Sequence, residues 1–230
     1  VWSEQFLDSA IARGGIVHYA RSTDAGRTWE SPLVVDAKDT RYEEAYGAGE
    51  IAIVTAGEDQ VHLMWNGPPS GHRWHKWSAD GGVTWKAAQP VAPLNEFGGQ
   101  GLRWYNAGSD LAVDSSERVH LLTSSTKTVH AVWQEGHWSA LDVLLPINPY
   151  WPRMAISKGN ILHAVSVYYY WDGSEGPLGT ADVEAVGQGD LNLFRVWHMT
   201  AQTDAPSVRT QPLPILTASE PGSVGPTATS

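Results

Sequence analysis

"RSTDAGRTWE" at residues 21–30 and "WSADGGVTWK" at residues 77–86 carry one pattern twice, with Ser22, Asp24, Gly26, Thr28 and Trp29 matched by Ser78, Asp80, Gly82, Thr84 and Trp85. Each copy follows an alternating stretch, "GIVHYARS" or "HRWHKWS", and precedes another, "TWESPLVV" or "TWKAAQPV". Strand, tight turn, strand is the reading. Gly26 and Gly82 supply the positive φ that such a turn needs, and Asp24 and Asp80 accept hydrogen bonds from its open backbone N–H groups. Trp29 and Trp85, closing the turns, are expected to be wedges in the core.

Between these hairpins a second element recurs as "IAIVTAGEDQVHLMW" (51–65), "LAVDSSERVHLLT" (111–123) and "MAISKGNILHAVS" (154–166). Each is an apolar strand, a polar turn and an apolar strand containing His. Joined to the hairpins, they make a four-stranded meander, A to D, repeating about every 45 to 60 residues, the signature of propeller blades. Degenerate turns complete two more copies, "VHAVWQEGHWSALDVLLPI" (129–147) and "VWHMTAQTDAPSVRTQPLPI" (196–215). The expected fold is therefore all-β, a β-propeller of four-stranded antiparallel blades with about three and a half to four blades present. Residues 1–215 form them: an incomplete blade at 1–36 that lacks its A strand, then 50–92, 110–147 and 153–215. Propellers close to hide their edges, so the remaining blades are expected from the same or another chain. The tail, 216–230, is rich in Ser, Thr, Pro and Gly and reads as a linker. The opening Val1, with no leader pattern, reads as a processed or truncated start.

Composition narrows the partners. The chain of 230 residues has a formal charge of -10 with only 15 Lys and Arg, scattered along it. That disfavours nucleic acid and anionic membrane surfaces, and no apolar run approaches the roughly 20 residues of a membrane span. The absence of Cys rules out disulfides and thiolate metal sites and leaves the redox compartment open. The 12 Trp and 23 Gly suit a wedge-and-turn β architecture.

The Ser-x-Asp-x-Gly-x-Thr-Trp pattern resembles the Asp box of the sialidase (neuraminidase) superfamily and its bacterial-neuraminidase-repeat relatives. That resemblance covers nearly all of residues 1–215. It implies a six-bladed ring, secretion or cell-surface placement, and substrate binding on the face opposite the boxes. Family members use an arginine triad, a Tyr nucleophile paired with Glu, and an Asp acid/base. Their Phe/Tyr-Arg-Ile-Pro motif is absent here; "YWPRMAI" (150–156) departs from it at most positions, so no catalytic residue is assigned.

Antiparallel order puts the boxes and the A–B turns at one face, and the D–A and B–C connections at the other. Three D–A connections place Arg beside aromatics: Arg41 with Tyr42 in "DTRYEEAYGAG" (39–49), Arg103 with Trp104 and Tyr105 in "FGGQGLRWYNAGS" (97–109), and Arg153 with Tyr150 and Trp151 in "NPYWPR" (148–153). Guanidinium groups pair bidentately with carboxylates and aromatic faces stack on sugars, so these are candidate ligands for an acidic glycan. Arg stacked on its own neighbouring ring is the plainer explanation. Tyr170 and Trp171 open the longest B–C connection, 170–190, a candidate binding arm. Its Asp172, Glu175, Asp182 and Glu184 offer oxygens to calcium without EF-hand spacing, so no cofactor or metal is expected. His62, His120 and His163 recur at one B-strand position and are expected to be matching structural sites with a hydrogen bond each rather than a metal ring.

Two functions follow from the sequence. The first is an extracellular sialidase-like propeller that recognises carbohydrate, with hydrolysis as its further step. The other is a non-catalytic structural or adhesion scaffold making protein–protein contacts.

Overall fold

The computed structural model describes residues 1–8, 12–38, 49–67, 72–91, 108–124, 128–145, 150–169, 194–209 and 213–216. Among them there is no helix, and every strand pairing is antiparallel.

Four sheets follow one another in chain order. Sheet one is three-stranded: β1 (Trp2–Asp8), β2 (Ala12–Tyr19) and β3 (Leu33–Lys38). Sheet two runs β4 (Gly49–Ala56), β5 (Gln60–Gly67), β6 (His72–Ser78) and the short β7 (Gln89–Pro90). Sheet three has β8 (Ser109–Val113), β9 (Val119–Ser124) and β10 (Thr128–Gln134), with both β11 (His137–Trp138) and β12 (Asp142–Leu145) paired to β10. Sheet four has β13 (Tyr150–Ser157), β14 (Ile161–Tyr169) and β15 (Phe194–Gln202), with β16 (Ala205–Arg209) and β17 (Leu213–Leu216) both paired to β15.

The two Ser-x-Asp-x-Gly-x-Thr-Trp turns have one geometry. In the first, Gly26 N donates to Ser22 Oγ at 2.7 Å, Ser22 Oγ to Asp24 Oδ1 at 2.8 Å, Thr28 N to Asp24 Oδ1 at 2.9 Å and Thr28 Oγ1 to Asp24 Oδ2 at 2.6 Å. The second repeats these bonds at 2.8, 2.7, 2.8 and 2.6 Å through Ser78, Asp80, Gly82 and Thr84. Positive φ falls at Ala25 and Gly26 (59° and 83°) and at Gly81 and Gly82 (66° and 84°). These donors favour the ionised carboxylate: the Thr28 hydroxyl first, then its backbone N–H, lowers Asp24 to about 2, and Thr84 does the same for Asp80. The third turn keeps the backbone path, with Glu135 and Gly136 at 51° and 86°, after losing the Ser and Asp.

Successive sheets pack face to face, and each junction has its own apolar cluster. Val17, Tyr19 and Val35 meet Val61, Leu63 and Trp65 between sheets one and two. Ala52, Ala56 and Met64 meet Leu111, Val119, Leu121 and Trp133 between sheets two and three. Leu122 and Leu144 meet Leu162, Ala164 and Met199 between sheets three and four. Strand alternation explains the partition: Val61, Leu63 and Trp65 of β5 face sheet one, while Met64 faces sheet three. Because the middle sheets are covered on both sides, β9 and most of β10 are buried without a break.

The two box tryptophans part company here. Trp85 packs edge-on against Tyr19 of sheet one, with ring centroids 4.9 Å apart at 76°, and joins the cluster between sheets one and two. Trp29, expected in the core, is 65% exposed. The correction has a simple cause: Trp85 is buried by a strand of the neighbouring sheet, β2 with Tyr19, rather than by its own hairpin. Trp85→Ala should therefore cost about 2 kcal/mol or more, and Trp29→Ala about 0.5 kcal/mol or less, in denaturant unfolding of the 230-residue chain. Equal losses would contradict this assignment.

Candidate functional site

Two hydrogen bonds identify the ends of the sheets. Gly81 N of the box turn donates to Asp59 O of the β4–β5 turn at 2.7 Å, and Thr203 N donates to Asn160 O at 3.0 Å in sheet four. Box turns and A–B turns thus share one end. The described strand termini Lys38, Gly49, Ser109, Leu145 and Tyr150 lie at the other.

That second end is fastened by one polar tie per junction. Trp65 Nε1 of sheet two donates to Asp36 Oδ2 of sheet one at 2.8 Å. Arg73, 1% exposed, reaches from β6 into sheet three, its Nε donating to Ser109 Oγ at 3.0 Å and Thr123 Oγ1 at 2.8 Å, and its Nη2 to Ser124 O at 2.8 Å. Met154 N of sheet four donates to Asp110 Oδ2 of sheet three at 2.7 Å. Polar groups buried at junctions hold orientation well because leaving any of them unpaired is costly. They fix this end of the described sheets.

Arg153 is exposed at this end, in β13, and its Nη1 donates to Pro152 O at 3.1 Å. Trp151 lies in the same strand, its side chain outside the described residues. Arg41, Tyr42, Arg103, Trp104, Tyr105, Tyr170 and Trp171 lie outside the described residues, as do Asp172, Glu175, Asp182 and Glu184. Sequence reasoning missed Asp36, Arg73 and Asp110; the signal available was a polar residue set within or at the edge of an otherwise apolar strand.

At the core, the recurring histidines form a repeated bridge. His62 Nδ1 lies 3.0 Å from His75 Nε2, His120 Nδ1 3.0 Å from His130 Nε2, and His163 Nδ1 3.2 Å from His198 Nε2. In each case a B-strand ring stacks on a C-strand ring. The outer Nε2 of each B-strand His meets an oxygen: Gln60 Oε1 at 3.3 Å, Asp114 Oδ2 at 3.3 Å and Ser157 Oγ at 3.0 Å. One tautomer satisfies all three, with the C-strand Nε2–H donating to the B-strand Nδ1 and the B-strand Nε2–H donating outward. The B-strand partners were missed in the sequence because no single-strand pattern relates a residue to its diagonal neighbour two positions along the next strand. No group of three or more His, Asp or Glu among the described residues is placed to hold a metal ion.

Burial favours the neutral form of His62, His75 and His120. It lowers His62 to about 4 and, with help from His62, lowers His75 to about 3; it also lowers His120 against the opposing pull of Asp114. His75 packs on Trp133 and Trp138 of sheet three, at 4.5 and 5.0 Å between centroids. A folded-state pKa below the unfolded value of about 6.5 means the contribution is complete above that pH. It is lost as pH falls from there toward about 4, because the unfolded chain binds protons that the folded one does not. The denaturant midpoint should fall between pH 7 and 5, and fall less in His75→Gln. A flat profile in the parent chain would contradict the neutral bridge.

No family model matches the chain, and no curated protein does. Solved structures resemble it at low identity. A Hadza microbial sialidase is 13% identical, with TM-score 0.49, over 87% of this chain and 40% of its own. A Penicillium chrysogenum alpha-L-arabinanase complexed with arabinobiose is 15% identical, with TM-score 0.48, over 90% and 59%. A NanB sialidase mutant from Streptococcus pneumoniae is 13% identical, with TM-score 0.46, over 67% and 25%. The chain thus spans less than two thirds of the length of each of these structures.

Proposed function

We propose that the chain is part of a sialidase-like β-propeller that recognises carbohydrate at the end bearing the D–A and B–C connections. The observation that carries the proposal is the division of the two ends. Box and A–B turns are hydrogen-bonded together at one, and strand alternation assigns to the other the sequence segments containing Arg41, Arg103 and Arg153 with their aromatic neighbours, of which Arg41 and Arg103 lie outside the described residues. Arg offers paired N–H donors to a carboxylate, and Trp and Tyr offer flat apolar faces to a sugar ring. Arg153, the member with a described side chain, is exposed and free of any carboxylate within the described contacts. The ties through Asp36, Arg73 and Asp110 provide the rigid base that a binding end needs. The proposal assigns recognition and no catalytic residue, and secretion or cell-surface placement belongs to it.

Titration calorimetry with a sialylated oligosaccharide and its desialylated counterpart tests it. Arg103→Ala and Arg153→Ala should each weaken binding of the acidic sugar by about tenfold or more, roughly the worth of one charged hydrogen-bonded pair, and leave the melting temperature unchanged. Undiminished binding would overturn the assignment of this end. Failure of the parent chain to bind either sugar would favour the scaffold or adhesion function instead.

A further inference from the structure

The three histidine bridges share one geometry and differ in what stands at their outer ends. The B-strand ring meets the amide oxygen of Gln60 in sheet two, the carboxylate of Asp114 in sheet three and the hydroxyl of Ser157 in sheet four. A positive charge arriving on the sheet-three bridge finds the Asp114 counterion 3.3 Å from His120 Nε2. One arriving on the sheet-four bridge finds solvent, because Ser157 is exposed and His163 and His198 are half-buried.

The sheet-two bridge has neither. His62 and His75 are fully buried. Trp77 of β6 and Trp133 of β10 cover His62, and Trp133 with Trp138 of β11 covers His75, which pairs within its own sheet with Met64 and Gln89. The charged groups beside this cluster are cations: Lys86 lies over the Trp77 ring at 5.9 Å, and Arg73, two residues before His75, reaches across to Ser109 and Thr123. Among the described contacts no carboxylate meets either ring. A further proton also has no seat. His75 Nε2–H is given to His62 Nδ1 and His62 Nε2–H to Gln60, which leaves His75 Nδ1, buried and without an acceptor among the described residues. A charge placed there is costly.

His75 is also what the next sheet packs on. Tyr19 and His75 each stand three residues before the box Ser, and each receives the Trp of the following sheet, Trp85 or Trp138. The first of these junctions is closed by a phenol, whose pKa burial pushes above its usual 10. The junction between sheets three and four is closed by Leu122, Leu144, Leu162, Ala164 and Met199. Only the middle junction packs its tryptophans on an imidazole pair that lacks a counterion.

We propose that the junction between sheets two and three is an acid-sensitive switch: protonation of the His62–His75 bridge releases Trp133 and Trp138 and parts these two sheets while the other two junctions stay closed. Burial first, and then His62, lowers His75 to about 3, against 6.5 for a solvated ring, so its release is favoured about thirtyfold at pH 5 and hardly at all at pH 7. Arg73 crosses the same junction, so opening it also undoes that tie. The inference is independent of what binds at either end of the sheets.

Hydroxyl-radical footprinting read by mass spectrometry tests it, with the 230-residue chain at pH 7 and pH 5 beside two variants. Gln60→Glu, at an exposed position, copies the counterion of sheet three, and His75→Tyr copies the ring of sheet one. In the parent chain Met64 and Trp133, buried at the middle junction, should be oxidised several-fold faster at pH 5, while Trp85 and Met199, which report the other two junctions, keep their rates. The increase should shrink by half or more in Gln60→Glu and vanish in His75→Tyr. Equal protection of Met64 and Trp133 at both pH values would overturn the proposal. Trp85 and Met199 rising in parallel would overturn it in favour of general acid unfolding, and an undiminished increase in Gln60→Glu would overturn it by placing the decisive proton elsewhere.

Discussion

Sheets two and three each depend on the preceding sheet to bury a tryptophan. A locked hairpin turn holds the ring in position, but the ring finds its partner in a strand of another sheet, as Trp85 finds Tyr19 of β2. Aromatic pairs in edge-on geometry contribute about 0.5–1.5 kcal/mol beyond the area they bury. A sheet of three or four short strands has too little apolar area to be stable alone. Stability therefore belongs to the junctions, and the three apolar clusters, one per junction, show where it is concentrated.

That arrangement fixes what the two ends of the sheets can do. At the box end, carboxylates turn inward to hold backbone N–H groups, so Asp24 and Asp80 are occupied with structure. At the other end the junctions are closed by Asp36, Arg73 and Asp110, each reaching across to a neighbouring sheet. Between the ends lie the histidine bridges, stacked ring on ring, which pair polar ring nitrogens inside two adjacent strands.

Much of this was legible in the sequence. The turn chemistry of Ser78, Asp80, Gly82 and Thr84 is local, so its hydrogen bonds and positive φ follow from residues within one hairpin. The alternation of β5 also shows in "VHLMW", where both faces are apolar because both are covered. What depended on a second sheet was hidden. Trp29 and Trp85 occupy identical local patterns, and their opposite burial is decided by whether a neighbour presents a ring. Arg73 reads as a surface cation until Ser109, Thr123 and Ser124 are brought to it from the next sheet. The third turn shows the converse: Glu135 and Gly136 keep the left-handed path without Ser or Asp, so the backbone conformation outlasts the side-chain lock.

The most direct test of this account is a double-mutant cycle on Tyr19→Ala and Trp85→Ala, read by denaturant unfolding of the 230-residue chain. If the junction is where the box Trp contributes, the two losses should be non-additive by about 0.5–1.5 kcal/mol. Losses that add within about 0.3 kcal/mol would mean that Trp85 stabilises its own hairpin alone, and the dependence of each sheet on its neighbour would have to be abandoned.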